Sequence, residues 1–225
     1  MTASSLIQGA NRVWRAKIGL EIHCQINSAS KLFSNAPLPE LTSPANTCVS
    51  LFDAAVPGTL PVLNRECVRQ ALRAALALNC DIHRVSTFER KHYYYQDLPL
   101  GYQITQQERP IASRGFLEFK TDDDTSSSGK VLISRIQLEQ DSGKSLHDLL
   151  ENTTCVDLNR AGQGLLEVVF EPTLHTAKDA GVVVKTFQQL VRHMGVCDGS
   201  MEKGSMRVDV NVSVETADGS GGGSY

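Results

Sequence analysis

Four stretches of this chain carry acids or amides two residues apart or nearly so: Glu21 with His23, Glu139 with Asp141, Glu167 with Glu171, and Asp209 with Asn211. In a strand, residues separated by an even number of positions point to the same side, so each stretch offers one polar face. Each sits opposite apolar residues, as in Met206–Glu215, where four valines alternate with Arg207, Asp209, Asn211 and Ser213. Any one of these faces reads as an ordinary wet side of a half-buried strand, and His23 alone reads as an ordinary histidine. Four of them together suggest a carboxylate cluster. Such a cluster repels itself unless cations occupy it. Oxygen ligands with a single imidazole suit magnesium or manganese better than zinc. Magnesium held by carboxylates normally bridges nucleotide phosphates, and Arg160, Arg207 and Lys91 could neutralise phosphate oxygens. No Walker A loop, G-x-G-x-x-G turn or kinase signature is present, so the residues alone support only an acidic sheet face with a metal–phosphate character.

The elements that must hold these residues can be read from periodicity. Residues 16–26 alternate, with Ile18, Leu20, Ile22 and Cys24 on one face. Strands are also expected at 115–120, 130–141, 164–171 and 206–215. Two helices are expected, at 65–78 capped by Asn64 and at 177–194 opened by a Thr176/Asp179 capping box. Residues 34–47, rich in proline, read as loop, and 121–129 as a solvated hairpin tip. The FERKHYYY run at 88–95 admits two readings: a half-buried strand, or cations interleaved with rings for backbone phosphates and stacked bases. Helices are too few to separate the strands, which favours α+β with a largely antiparallel sheet and flanking helices.

The 225 residues, 41% hydrophobic and 21% charged, are those of an ordinary globular protein, and no apolar run approaches membrane-spanning length. A net charge of −3 gives no overall positive field, so any RNA contact must use a local patch. Six scattered cysteines without a C-x-x-C pair read as buried free thiols. Arg12, Arg15 and Lys17 precede the first acid, Glu21, which weakly resembles a mitochondrial presequence.

The segments IGLEIHCQINSASKLFSNAP, PGTLPVLNRE, FERKHYYYQDLPLGYQIT, SRIQLEQDSGK, DLNRAGQGLLEVVFEP and GVCDGSMEKGSMRVDVNVSV together resemble the B subunits of tRNA-dependent glutamyl/aspartyl-tRNA amidotransferases, in family order. The resemblance spans about residues 16–215, with GYQITQQ and the leader closest to the mitochondrial branch. It implies a cradle related to the glutamine synthetase and guanido kinase fold. It implies an ATP-dependent kinase acting on the side-chain carboxylate of glutamate misacylated onto tRNA(Gln). Ammonia from an amidase (A) subunit, with a small third subunit in the complex, would then displace phosphate. It further implies that Glu21, His23, Glu139 and Glu167 act as catalytic metal ligands for Mg2+ or Mn2+. Lys91, Asp141, Arg160, Arg207, Asp209 and Asn211 would line the nucleotide or the glutamyl acceptor end.

The chain departs from the family pattern in several places. Gln140 stands where many relatives carry glutamate, and strand parity turns it away from Glu139. Cys48-Val-Ser-Leu51 lacks the C-x-x-C found in many relatives, so no zinc is expected. Gly164 stands where the family usually has proline. The organisation expected is a leader or disordered segment at 1–15, an incomplete catalytic cradle at 16–215 and a Gly/Ser-rich tail at 216–225. The family's helical and tRNA-gripping tail domains are expected to be missing. The resemblance implies a mitochondrial matrix location, or a cytoplasmic one for a bacterial protein. Two other readings stay open: a non-catalytic remnant that only docks on the amidase partner, and an ATP-dependent carboxylate–amine ligase acting on a small molecule.

Overall fold

The computed structural model describes residues 6–9, 12–120, 128–148, 150–216 and 222–223. In chain order the elements begin with β1 (Leu6–Gly9), β2 (Arg12–Gln25) and α1 (Arg65–Ala77). Then come β3 (Asp81–Ile82), β4 (Glu89–His92), β5 (Tyr102–Thr105), β6 (Ala112–Lys120) and β7 (Ser128–Gln140). The remainder are β8 (Lys144–Asp148), β9 (Thr153–Asp157), β10 (Gly164–Phe170), α2 (Ala177–His193), β11 (Met206–Thr216) and β12 (Gly222–Gly223). The fold is α+β, as alternation without crossover helices requires.

One antiparallel sheet runs in the order β12-β11-β2-β10-β7-β6-β3, with β1 also paired to β2. Its apolar face is built by alternation: Ile18, Leu20, Ile22 and Cys24 from β2, Leu166, Val168 and Phe170 from β10, and Ile136 and Leu138 from β7 are all buried. Both helices join this core, α1 through Cys67, Ala71, Ala74 and Ala75 and α2 through Ala180, Val183, Phe187 and Val191. The helix starts follow local chemistry. The Asn64 side chain accepts from the Glu66 amide at 2.9 Å, and Thr176 Oγ1 accepts from the Asp179 amide at 3.0 Å while donating to its carboxylate at 2.7 Å. Gly195, at φ +68°, stops α2 as a left-handed residue.

Three differences from the sequence reading have physical causes. First, β2 begins at Arg12, inside the expected leader, because β1 pairs with it and Arg15 Nε donates to Glu215 at 2.6 Å. Second, the valine face of β11 is not buried along its length: Val210 and Val212 are 56% and 65% exposed. They sit opposite Leu20 and Ile18, but no helix among the described residues covers β11. An apolar groove of about 480 Å³ is left between these valines and Ala177, Ala180 and Val184 of α2. Third, Cys155 is exposed, unlike the other five cysteines. Much of the 121–129 tip, at 121–127, lies outside the described residues, as do 217–221 and 224–225 of the expected tail. Ser128 and Gly129 already belong to β7.

The contrast between the two apolar positions is measurable. Ile22, with no exposed surface, should cost about 2–5 kcal/mol on truncation to alanine. Val212→Ser should stay within about 0.5 kcal/mol. Urea unfolding of the two variants checks this pair.

Candidate metal and phosphate centre

The opposite face of the sheet carries the polar residues, and strand register lines them up. His23 of β2 pairs with Glu167 of β10 on one side and Arg207 of β11 on the other. Glu167 in turn pairs with Gln137 of β7. Partners across antiparallel strands share a face, so Arg207, His23, Glu167 and Gln137 form one row. The neighbouring row holds Asp209, Glu21, Val169 and Arg135, and the row on the other side holds Gln25, Leu165 and Glu139. Leu165 and Val169 flank Glu167 and help keep it from water; only 3% of Glu167 is exposed.

The imidazole of His23 lies among four carboxylates. Its Nε2 is 3.8 Å from Glu21 Oε1, 3.5 Å from Glu139 Oε1 and 3.7 Å from Glu167 Oε2, while Nδ1 is 3.6 Å from Asp209 Oδ2. Among the described residues, ligand atoms of Glu21, His23 and Glu167 all lie within 4.8 Å of one another. The proton affinities record the crowding. A hydrogen bond with Glu167, then burial, pushes the Glu21 carboxyl up to about 7. Burial raises Glu167, and burial also raises Glu139 against the opposing charge of Lys91. A divalent cation removes the need for these protons, and the two carboxylates and one imidazole of that group, with Glu139 Oε1 3.5 Å from His23, offer a donor set suited to Mg2+ or Mn2+.

Asp141 forms a second focus beside the first. It is 1% exposed, accepts from Gln25 Nε2 at 2.9 Å, and lies 3.7 Å from Arg160 Nε. Arg207 Nη2 is 2.9 Å from Asp141 Oδ1, yet this contact is out of line for a hydrogen bond, and Nε and Nη2 find no acceptor among the described residues. A guanidinium held by one carboxylate, with donors to spare, can accept a phosphate oxygen as a partner. Arg160 spends Nε and Nη2 on the carbonyls of Ser142 and Gly143, at 2.9 and 2.6 Å. Lys91 stands on the exposed β4 strand.

The structure therefore gathers Glu21, His23, Glu139, Glu167, Asp209, Asp141, Arg160 and Arg207. Asn211 is on the same face but pairs with Gly19, one step beyond Glu21. Glu171 is not in the cluster. It follows the last residue of β10, four residues from Glu167, with its amide donating to Leu132 O at 2.8 Å. Gln140 turns away as parity requires, its Oε1 accepting from the Ile104 amide at 3.1 Å.

Gln137 belongs to the site and alternation alone did not single it out. Its buried Nε2 donates to Glu167 Oε2 at 2.6 Å and to Thr105 Oγ1 at 3.1 Å, and its Oε1 accepts from Arg135 Nε at 3.0 Å. Both ends of the amide are used, so it fixes the Glu167 carboxylate. The signal was present in its shared parity with Glu139, but only the register shows that it faces Glu167.

The raised carboxyls set a pH dependence. A carboxyl whose folded pKa lies above its unfolded value binds more protons when folded, so stability falls as pH rises between the two. For Glu21 that window runs from 4.5 to about 7. Without divalent metal, the melting temperature should fall from pH 5 to pH 8. Added Mg2+ should raise it more at pH 8 than at pH 5, and Glu21→Gln should flatten the slope. Thermal scans at the two pH values check all three.

Residues 16–224 match the family described as GatB/GatE catalytic domain. The chain is 52% identical over 205 residues to the B subunit of the mitochondrial glutamyl-tRNA(Gln) amidotransferase of Aedes aegypti, covering 89% of this chain and 39% of that protein. To the corresponding mitochondrial protein of Homo sapiens it is 50% identical over 222 residues, covering 95% and 39%. To the B subunit of the aspartyl/glutamyl-tRNA(Asn/Gln) amidotransferase of Granulibacter bethesdensis it is 49% identical over 214 residues, covering 95% and 44%. The chain thus spans about two fifths of the length of these relatives. With a family match over nearly all of its residues, the chain belongs to the GatB/GatE catalytic domain family.

Proposed function

We propose that this chain carries the phosphoryl-transfer centre of a tRNA-dependent amidotransferase. ATP phosphorylates the side-chain carboxylate of glutamate on misacylated tRNA(Gln), and ammonia then converts it to the amide. The observation that carries the reading is the gathering of Glu21, His23, Glu139 and Glu167 on one sheet face beside Arg207 and Asp141. Family membership supports the same reading, since the relatives are named as B subunits of amidotransferases.

The chemistry explains the residue types. A carboxylate resists attack by ammonia because oxide is a poor leaving group. When a side-chain oxygen attacks the γ-phosphorus and ADP departs, the acyl phosphate offers phosphate as a better one. Ammonia then adds to the carbonyl carbon and phosphate leaves with the former carboxylate oxygen. Glu21, His23, Glu139 and Glu167 would hold Mg2+ or Mn2+, which when bound offsets the negative oxygens of the phosphoryl group. Gln137 keeps Glu167 aimed. Asp141 anchors Arg207, whose free donors face the charge that develops on phosphate oxygens. Lys91, Arg160, Asp209 and Asn211 would border the nucleotide or the acceptor end.

The ammonia source in this reading is an amidase (A) subunit, assembled with a small third subunit. Relatives named as mitochondrial support a mitochondrial matrix location, and bacterial relatives of nearly equal identity keep a bacterial cytoplasm as the alternative. ATP cleavage in the assembled amidotransferase tests the reading. Stimulation by glutamyl-tRNA and not by free glutamate supports it. Turnover with free glutamate alone would replace it with a small-molecule ligase, and no stimulation by either would leave a docking subunit.

A further inference from the structure

We infer that the β4–β5 ribbon is a stacking platform for the unpaired 3′ end of the aminoacylated RNA. This inference rests on the tRNA reading above. The ribbon is a separate two-stranded sheet rooted on the site: Thr105 Oγ1 donates to Glu139 Oε2 at 3.2 Å, and Gln103 Nε2 donates to Gln140 O at 2.6 Å. From that root it extends outward through Tyr102, three residues or about 10 Å from Thr105. Its outer strand is exposed from Arg90 onward, and the turn beyond it presents Tyr94 and Tyr95 at 82% and 70% exposure.

Charges on an edge strand protect it from pairing with other chains, and that alone would explain Arg90 and Lys91. It does not explain two open tyrosines. The rings are also organised: His92 stacks on Tyr94 with centroids 5.6 Å apart, and Arg90 lies 4.7 Å over the Tyr102 ring. Tyrosine and arginine suit a protein interface too. The charge favours RNA. Arg90 lies on the face of the ribbon that carries His92 and Tyr102, and Lys91 on the face that carries Gln103 and Thr105, while Glu89, the one carboxylate on the two strands, already accepts from the Gln107 amide at 2.7 Å and Thr87 Oγ1 at 3.2 Å. In a chain of net charge −3, a cation on each face of this ribbon, beside the acidic centre, provides a route for an anionic strand whose bases need flat surfaces.

The test uses the assembled amidotransferase and glutamyl-tRNA(Gln). Tyr94→Ala with Tyr95→Ala should raise the KM for glutamyl-tRNA about 10- to 100-fold, since a stacked base contributes about 1–3 kcal/mol. The KM for ATP serves as the internal reference and should move less than about twofold. Tyr94→Phe with Tyr95→Phe keeps the rings and should restore the KM for RNA. An unchanged KM for RNA in the alanine variant overturns the inference. Loss of the amidase partner on purification, with an unchanged KM for RNA, also overturns it and makes the ribbon a protein interface. If the unsubstituted complex shows no glutamyl-tRNA-stimulated ATP cleavage, the functional reading itself fails. If it does show it while the alanine variant keeps its KM, only the ribbon's role fails.

Discussion

His23→Ala, or Glu139→Gln, is expected to lower glutamyl-tRNA-dependent ATP cleavage about 100- to 1000-fold in the assembled enzyme, with the amidase partner still bound. The size follows from what one oriented group contributes when charge develops in a site shielded from water. His23 Nε2 lies within 3.5–3.8 Å of Glu21, Glu139 and Glu167, so removing the imidazole removes the group around which all three are arranged. Glu139→Gln keeps the shape and the Thr105 hydrogen bond but loses a full negative charge. Neither residue lies on the apolar face that holds the helices, so the fold and the outer surfaces should persist. Steady-state ATP hydrolysis, with co-purification of the partner as the control, decides the point. Undiminished cleavage in both variants would remove their assigned roles.

Asp53→Ala should cost about 3–5 kcal/mol of stability, more than any surface change in the molecule. Lys31 is wholly buried, and its Nζ lies 3.2 Å from Asp53 Oδ2. Burial pulls the Lys31 amine down, with Asp53 opposing that shift. Asp53 also accepts from Ser50 N and Oγ at 3.0 and 2.9 Å and from Ser34 Oγ at 3.0 Å. Removing the carboxylate leaves a buried cation without its counter-charge. The pair further ties the segment after β2 to the loop that carries Arg160: Leu32 N donates to Gly162 O, and a side chain at Gly162, where φ is +81°, would meet Asp53. Loss of stability should therefore come with weaker ordering of Arg160. The double change Lys31→Met with Asp53→Leu should recover much of the loss, because two apolar groups leave no orphan charge. Urea unfolding of the single and double variants measures both effects.

How much of this was legible depended on distance along the chain. Local patterns carried over well. The Ile18–Cys24 alternation marked the buried face of β2, Asn64 and Thr176 marked the helix starts, and the parity of Gln140 put it away from the cluster. Each is decided by neighbours within a few residues. What was not legible depends on register between strands far apart in sequence. Nothing in the local pattern says that Glu167 faces His23 on one side and Gln137 on the other. The Lys31–Asp53 pair was hidden for the same reason, being formed between irregular segments. Glu171 shared its strand's parity but lies past the last residue of β10, four residues from Glu167 and away from the row that holds His23. Alternation in β11 correctly put Arg207 and Asp209 on the polar face, yet it could not say whether the valine face would be covered.

The proposed mechanism requires that ATP phosphorylates the glutamyl carboxylate before ammonia arrives, and oxygen isotopes follow that step. The measurement uses tRNA(Gln) charged with glutamate whose side-chain carboxylate carries ¹⁸O, together with ATP, Mg2+, glutamine and the assembled amidotransferase. The phosphate released is then examined by mass. One ¹⁸O in phosphate for each glutaminyl-tRNA formed is the expected result, because the attacking carboxylate oxygen leaves with the phosphoryl group. Phosphate free of ¹⁸O alongside normal glutaminyl-tRNA formation would rule the mechanism out.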